Sequence, residues 1–356
     1  MILYNVRQSL VAAKGLHEDT GQAPIMSSCR VQDAMTMAHT TPNDELLFEQ
    51  AFQKTRANHG TDLTFYLPGM IRYENLRGRY PAISLTGNRC ELQCEHCKGR
   101  LLGPMIQVTE PDALLEKGIY LQKRGAHGLL LSGGSDREGR LPWSKYADSI
   151  RKTAERTGLF LSAHVGFPDI ETCRQLKTSG VRQALLDVMG DEATASEVYH
   201  LKGLQPVRDA LESISHAGLQ LAPHIVAGLH YGRIKGEEEA LQMLSRYNPA
   251  VLVFVVLTAL KGTPMAGIKP PSPLEVARLI AKARLLMPQL PISLGCERPR
   301  NKEGIELENL ALRAGITRMA VWSEEALEEA SRLGLRPRFQ STCCSVDFTD
   351  TFRMVR

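Results

Sequence analysis

A chain of 356 residues, 43% hydrophobic and 23% charged, carries enough apolar side chains for one large α/β domain or two smaller ones, which excludes disorder as its overall state. Its formal net charge of +4 comes without a Lys/Arg block able to track a phosphate backbone, which argues against nucleic acid as a partner. No segment approaches the apolar length of a membrane span, and MILYNVRQSLVAAKGLHEDTGQ lacks an apolar core with a small-residue cleavage site, so a soluble cytoplasmic protein is expected.

In chain order, residues 1–40 show no clear period, and TPNDELLFEQAFQKTRANHG at 41–60 reads as a helix closed by Gly60. From Tyr80 onward, short apolar or β-branched runs predict strands at 80–87, 127–134, 159–166, 181–190, 219–228, 250–257, 290–296 and 317–322. Segments of helical period lie between them at 111–124, 144–157, 205–217, 236–246, 273–286 and 304–314. Ser272 and Pro273 supply a cap and a first helical residue for one of these. Eight strands alternating with helices fit an α/β fold of the (β/α)8 barrel type. The chain then divides into an N-terminal helical extension at 1–75, the barrel at 76–322 and a C-terminal tail at 323–356.

In such a barrel the chemistry sits at the C-terminal ends of the strands. Directly after the first strand, GNRCELQCEHCKG at 87–99 places Cys90, Cys94 and Cys97 in one loop opened by Gly87. Three thiolates on an iron–sulfur cubane leave one iron open to a cofactor, whereas a structural zinc site is closed by four protein ligands. The zinc reading requires His96 or a distant residue as fourth ligand, and a third reading takes the cysteines as unrelated. Eight cysteines, three clustered and two adjacent, resemble metal or cluster ligands in a reducing compartment more than a secreted disulfide framework.

Other residues stand out at the strand ends. His164, His224 and His230 lie at or near them, each a candidate contact for cofactor or substrate, although a lone histidine is more often a satisfied structural residue. Cys173, in a helical segment, reads as a small buried apolar residue. Cys296 ends the seventh strand facing the barrel mouth, and RFQSTCCSVDF brings Cys343 and Cys344 in a tail expected to fold back over the same opening. Cys296, Cys343 and Cys344 are candidate ligands of a second cluster, with Cys29 as a possible fourth, against the alternative of reduced thiols without a role.

CxxxCxxC after a first barrel strand resembles the radical S-adenosylmethionine (SAM) superfamily over residues 80–322, with His96 where that family usually keeps an aromatic residue. The resemblance implies a [4Fe-4S] cluster that binds SAM and passes it one electron, generating a radical that takes hydrogen from inert carbon. It also implies an external electron donor such as ferredoxin or flavodoxin.

Ser132, Gly133 and Gly134 resemble the family stretch that meets the methionine amino group, with Ser135 where a glutamate is usual. Asp187 falls where the family often places a ribose contact, although a capping or solvated aspartate fits the sequence as well. PHIVAGLHYG with Gly228, followed by LTALKGTPM and LGCERPR, resembles the biotin synthase and lipoyl synthase branch, and most of all a subunit of the two-protein lipoyl synthases.

That resemblance implies sulfur insertion into an octanoyl chain on a lipoyl carrier protein, shared with a second radical SAM subunit. The alternatives are a single-cluster radical SAM enzyme with a non-sulfur outcome on a small substrate, and a zinc-stabilised scaffold.

Overall fold

The computed structural model describes residues 40–73 and 76–348, so Cys29 lies outside the described residues. In chain order the elements are α1 (Pro42–His59), β1 (Asp62–Tyr66), β2 (Arg72–Tyr73), β3 (Leu76–Arg77), β4 (Ala82–Ser84), β5 (Ile106–Gln107), α2 (Pro111–Lys123) and β6 (Gly128–Ser132). They continue with α3 (Trp143–Thr157), β7 (Phe160–His164), α4 (Ile170–Thr178), β8 (Val181–Asp187), α5 (Gln205–His216), β9 (Gln220–Ala227) and α6 (Glu237–Leu244). The last are β10 (Leu252–Val256), α7 (Pro273–Leu286), β11 (Ile292–Leu294), α8 (Lys302–Arg313), β12 (Arg318–Ala320), α9 (Glu324–Arg332) and β13 (Arg336–Gln340).

Helix starts follow local chemistry. At α1 the Thr41 hydroxyl accepts from the Asp44 amide while the Asp44 carboxylate accepts from Thr41, a reciprocal box that α7 repeats with Ser272 and Glu275. Arg278 then donates to Asp44 at 2.6 Å and docks α1 onto α7.

Eleven strands form one parallel sheet in the order β13-β1-β12-β11-β10-β9-β8-β7-β6-β4-β5, with helices packed on its outer face. The eight expected strands are its middle, in sequence order, and the sheet curls into a barrel. Its central strands, such as β10, are buried on both faces, so they read as near-continuous apolar runs.

The expected closure by eight strands differs from what is observed. β1 and β13 extend the sheet past β12, and among the described residues no strand pairing joins β13 to β5. Backbone contacts bridge the two ends instead: the Arg79 amide, entering β4, donates to the Ser341 carbonyl just past β13 at 2.6 Å. A Cβ on Gly78 would lie 2.2 Å from the Leu67 carbonyl oxygen, so the passage fits only glycine.

Alternation along the strands separates two cores. Outward residues meet the helices, while Tyr66, Leu185, Ala222, Val251, Val253, Val255 and Ala320 form an inner cluster with Cys344, against which Cys296 packs.

The tail does not return to the mouth as expected. β13 runs parallel to β1, with Gln340 level with Tyr66, and the residues that follow turn to meet the strand starts at the opposite end. Gln183 near the start of β8 donates to the Ser345 carbonyl at 2.9 Å, and Arg318 at the start of β12 donates to the Cys344 carbonyl at 3.2 Å. Phe348 meets Phe160, the first residue of β7, edge-on at 5.6 Å.

Candidate active site

The loop after β4 is wound by residues in the left-handed region, Gln93 (φ 50°), Lys98 (φ 45°) and Gly99 (φ 73°). Lys98 stabilises this winding by donating to the Gln93 carbonyl at 2.7 Å and pairing with Glu95 at 2.7 Å. Opposite it, His200 on the β8–α5 connection lies 3.0 Å from Glu95 and 3.1 Å from the Gln93 carbonyl. The end of β6 runs beneath the loop: a Cβ on Gly134 would fall 2.0 Å from the Arg89 carbonyl oxygen and 2.5 Å from the Cys90 Cβ. Gly134 is therefore required by close approach, and its amide donates to the Thr86 hydroxyl at 2.6 Å.

Ligand atoms of Cys94, His96 and Cys97 lie within 4.8 Å of one another. A hydrogen bond between Cys94 and Cys97 pulls the Cys97 thiol well below its ordinary value, with further help from His96. A thiolate is what iron takes as a ligand. Cys90 stands outside this compact set, with its sulfur 4.0 Å from the Ser135 hydroxyl. A cubane, whose thiolates bind different irons, tolerates that spread better than a single ion does. His96 Nδ1 is buried without a hydrogen-bond partner among the described residues, and its ring lies 5.2 Å from Tyr199. The soft donors, the glycine-only approach and this unmet nitrogen fit a cluster with a bound cofactor beside it.

Beside the cluster loop, His164 and Asp187 at the ends of β7 and β8 converge with His224 inside β9. The two imidazoles are 5.1 Å apart, and Asp187 is the register partner of His224. Tyr199 donates to Asp187 at 2.7 Å. Burial raises the Asp187 carboxyl, but His164, His224 and the Tyr199 hydroxyl outweigh it and hold the group below its ordinary value. Burial, together with His164, brings His224 down to about 4, so it is neutral near pH 7. Tyr199 was not legible as a site residue: it follows a five-residue π-helical turn, Thr194–Val198, that no sequence pattern announced.

The other expected contacts are placed as follows. The Ser132 carbonyl accepts from Leu85 at 2.8 Å. Gly133 lies against Thr86, whose hydroxyl would be 3.2 Å from a Cβ there. Gly228, at φ 78°, donates its amide to Glu237 and packs on Pro271, a structural role within its own loop. His230 Nδ1 is 3.2 Å from the Thr194 hydroxyl, away from the His164 and His224 pair.

Cys173 is fully buried behind the sheet, as expected of a small apolar residue. Cys296 and Cys344 belong to the inner cluster, and Cys343 neighbours both in sequence or charge. Burial pushes the Cys296 thiol up to about 11, whereas a hydrogen bond from Cys344 pulls Cys343 down to about 6. These three sulfurs do not gather within 4.8 Å.

Comparison with known proteins places this geometry. No family model matches the chain. A biotin synthase from Alkalilimnicola ehrlichii is 30% identical over 296 residues, spanning 79% of this chain and 84% of that relative. One from Pelotomaculum thermopropionicum is 26% identical over 246 residues, spanning 67% and 75%. Among solved structures, methylornithine synthase superposes with a TM-score of 0.60 at 16% identity, covering 85% of this chain and 91% of that one. The FeFe-hydrogenase maturase HydG from Carboxydothermus hydrogenoformans gives 0.62 at 14% identity, covering 85% and 73%. These two likenesses bear on the fold alone.

No helix among the described residues is long and apolar enough to cross a membrane. The cofactors are a [4Fe-4S] cluster and SAM, and the chain belongs to the biotin synthase family of radical SAM enzymes.

Proposed function

We propose that this enzyme inserts sulfur into an unactivated alkyl chain, with Cys90, Cys94 and Cys97 holding the SAM cluster and Cys296, Cys343 and Cys344 holding a second iron–sulfur cluster in the barrel lumen. The observation that carries the reading is the shared position of Cys296 and Cys344 in the inner cluster, reached from the mouth by β11 and from the floor by the tail. When bound, the cofactors supply the hydrogen-abstracting radical and the sulfur.

The chain's own residues then have distinct tasks. Leu185, Ala222, Val253 and Val255 give the lumen a dry, apolar wall, the lining that favours an alkyl chain. His164, Asp187 and His224 stand at the mouth end of that wall, where their polar atoms meet SAM or the polar end of the substrate. Ser132, Gly133 and Gly134 border the methionine end of SAM, and Gly228 and His230 the adenine side. Arg298, buried and bonded to the carbonyls of Gly295, Ala320 and Val321 and to Glu308 at 2.6 Å, fixes the β11 end from which Cys296 projects.

The substrate we favour is an octanoyl-lysine on a lipoyl carrier protein, with a second radical SAM subunit completing the reaction and ferredoxin or flavodoxin supplying electrons. The proposed docking segments lie in the extension 1–75 and the tail 323–356, beyond the β1 and β13 strands that these add to the sheet beside the barrel at 76–322. Incubation of the reduced enzyme with SAM and an octanoyl-lysyl carrier domain tests this directly. A carrier mass increased by sulfur supports the reading, and 5'-deoxyadenosine formation without sulfur in any product overturns it. The spread of the three lumen thiols favours the second reading, a single-cluster enzyme with a non-sulfur outcome.

A further inference from the structure

The lumen wall formed by β11, β12 and β1 carries three polar side chains in an otherwise apolar cluster. Ser293 and Arg318 are direct register partners, and Tyr66 lies opposite Ala320, two residues further along the same strand pair. Arg318 is satisfied: it donates to the carbonyls of Cys344 and Ser345 and pairs with Asp347 at 3.2 Å.

Tyr66 and Ser293 are not. Both are 0% exposed. The hydroxyl oxygens of both lack a hydrogen-bond partner among the described residues. Leaving a buried hydroxyl unmatched costs free energy, and two such groups on one wall mark a place where something polar belongs.

What they face is sulfur. Tyr66 and Cys344 share the inner cluster, with Cys296 packed against it. The Tyr66 ring lies 5.8 Å from the Arg318 guanidinium that grips the tail at Cys344. Ser293 lies beside the Cys344 thiol, short of a hydrogen bond of normal geometry.

Resting on the second-cluster reading above, we infer that the Tyr66 and Ser293 hydroxyls are positioning residues for that cluster, donating hydrogen bonds to its sulfurs. Hydrogen bonds to cluster sulfurs disperse negative charge, stabilise the reduced form and raise the reduction potential. A hydroxyl aimed at one sulfur also biases which sulfur is held and which is free to leave.

The test uses the full chain, purified and reconstituted without oxygen, with Cys90, Cys94 and Cys97 replaced by alanine so that only lumen iron is read. Into this parent, Tyr66→Phe and Ser293→Ala are introduced singly; each removes a hydroxyl and leaves the wall's shape nearly unchanged. Iron and acid-labile sulfide per chain, the midpoint potential and the Fe–S stretching frequencies are measured. The inference expects iron retained in the parent and in both variants, with the potential moved to a more negative value and the stretching frequencies shifted. Iron retained with potential and frequencies unmoved overturns the role of the hydroxyls alone. A parent without iron overturns the second-cluster reading, and the inference falls with it.

Discussion

The mouth and the floor of the barrel both present thiols, and they are built in opposite ways. At the mouth, Cys90, Cys94 and Cys97 sit within one loop whose winding is set by its own residues, Gln93, Lys98 and Gly99, with short-range clamps from Lys98 to the Gln93 carbonyl and Glu95. At the floor, Cys343 and Cys344 are placed by a contact from Gln183 to the Ser345 carbonyl, 162 positions apart in the chain, and by one from Arg318 to the Cys344 carbonyl. A site made locally is written in adjacent letters, whereas one made by a returning tail depends on the whole barrel having formed.

The sharpest way to break the comparison is at the mouth. Cys97→Ala removes one of the loop's three thiols, the one that Cys94 and His96 hold toward the thiolate, and is expected to abolish reductive cleavage of SAM, read as loss of 5'-deoxyadenosine by chromatography. Lumen iron is expected to survive this change, since no residue of the floor takes part in the loop.

Next in size is the clamp that holds the ends of β11 and β12 together. Arg298 and Glu308, with side chains 0% and 4% exposed, form a buried pair, and Glu308 also accepts from the Ser323 amide and hydroxyl. Glu308→Ala leaves a buried guanidinium unpaired and is expected to cost about 3–5 kcal/mol in denaturant unfolding. Gly134→Ala drives a methyl into the Arg89 carbonyl and Cys90, with about 1–3 kcal/mol lost and a larger fall in iron at the mouth than at the floor.

The smallest expected effect is on pH. His224 has a folded-state value near 4, below the unfolded value of about 6.5. Between those values the unfolded chain binds the proton and the folded one does not, so stability is fully present above about pH 6.5 and falls as pH drops toward 4. His224→Phe is expected to flatten that slope in thermal unfolding followed from pH 7 to 4. A slope unchanged in the variant would assign the acid sensitivity to other groups.

The same contrast explains what was legible. The eight barrel strands were visible because Val- and Leu-rich runs such as LVFVV at β10 alternate with capped helices. β13 was not, because RPRFQ carries two arginines and a proline in a strand at the sheet's edge, where proline is tolerated. The turn taken after β13 left no pattern either, and it sets the carbonyls of Cys344 and Ser345 against Arg318 and Gln183 at the strand starts, where the sequence suggested the mouth. Tyr66 and Ser293 gave no signal at all: an orphaned hydroxyl is a property of packing, invisible in a string of residues.

Mössbauer spectroscopy of the iron-57-reconstituted full chain, with and without SAM, tests the two-site account most directly. The account predicts two cluster populations, of which SAM perturbs one iron in one population and leaves the other population untouched. A single population, or a spectrum that SAM does not change, would contradict it.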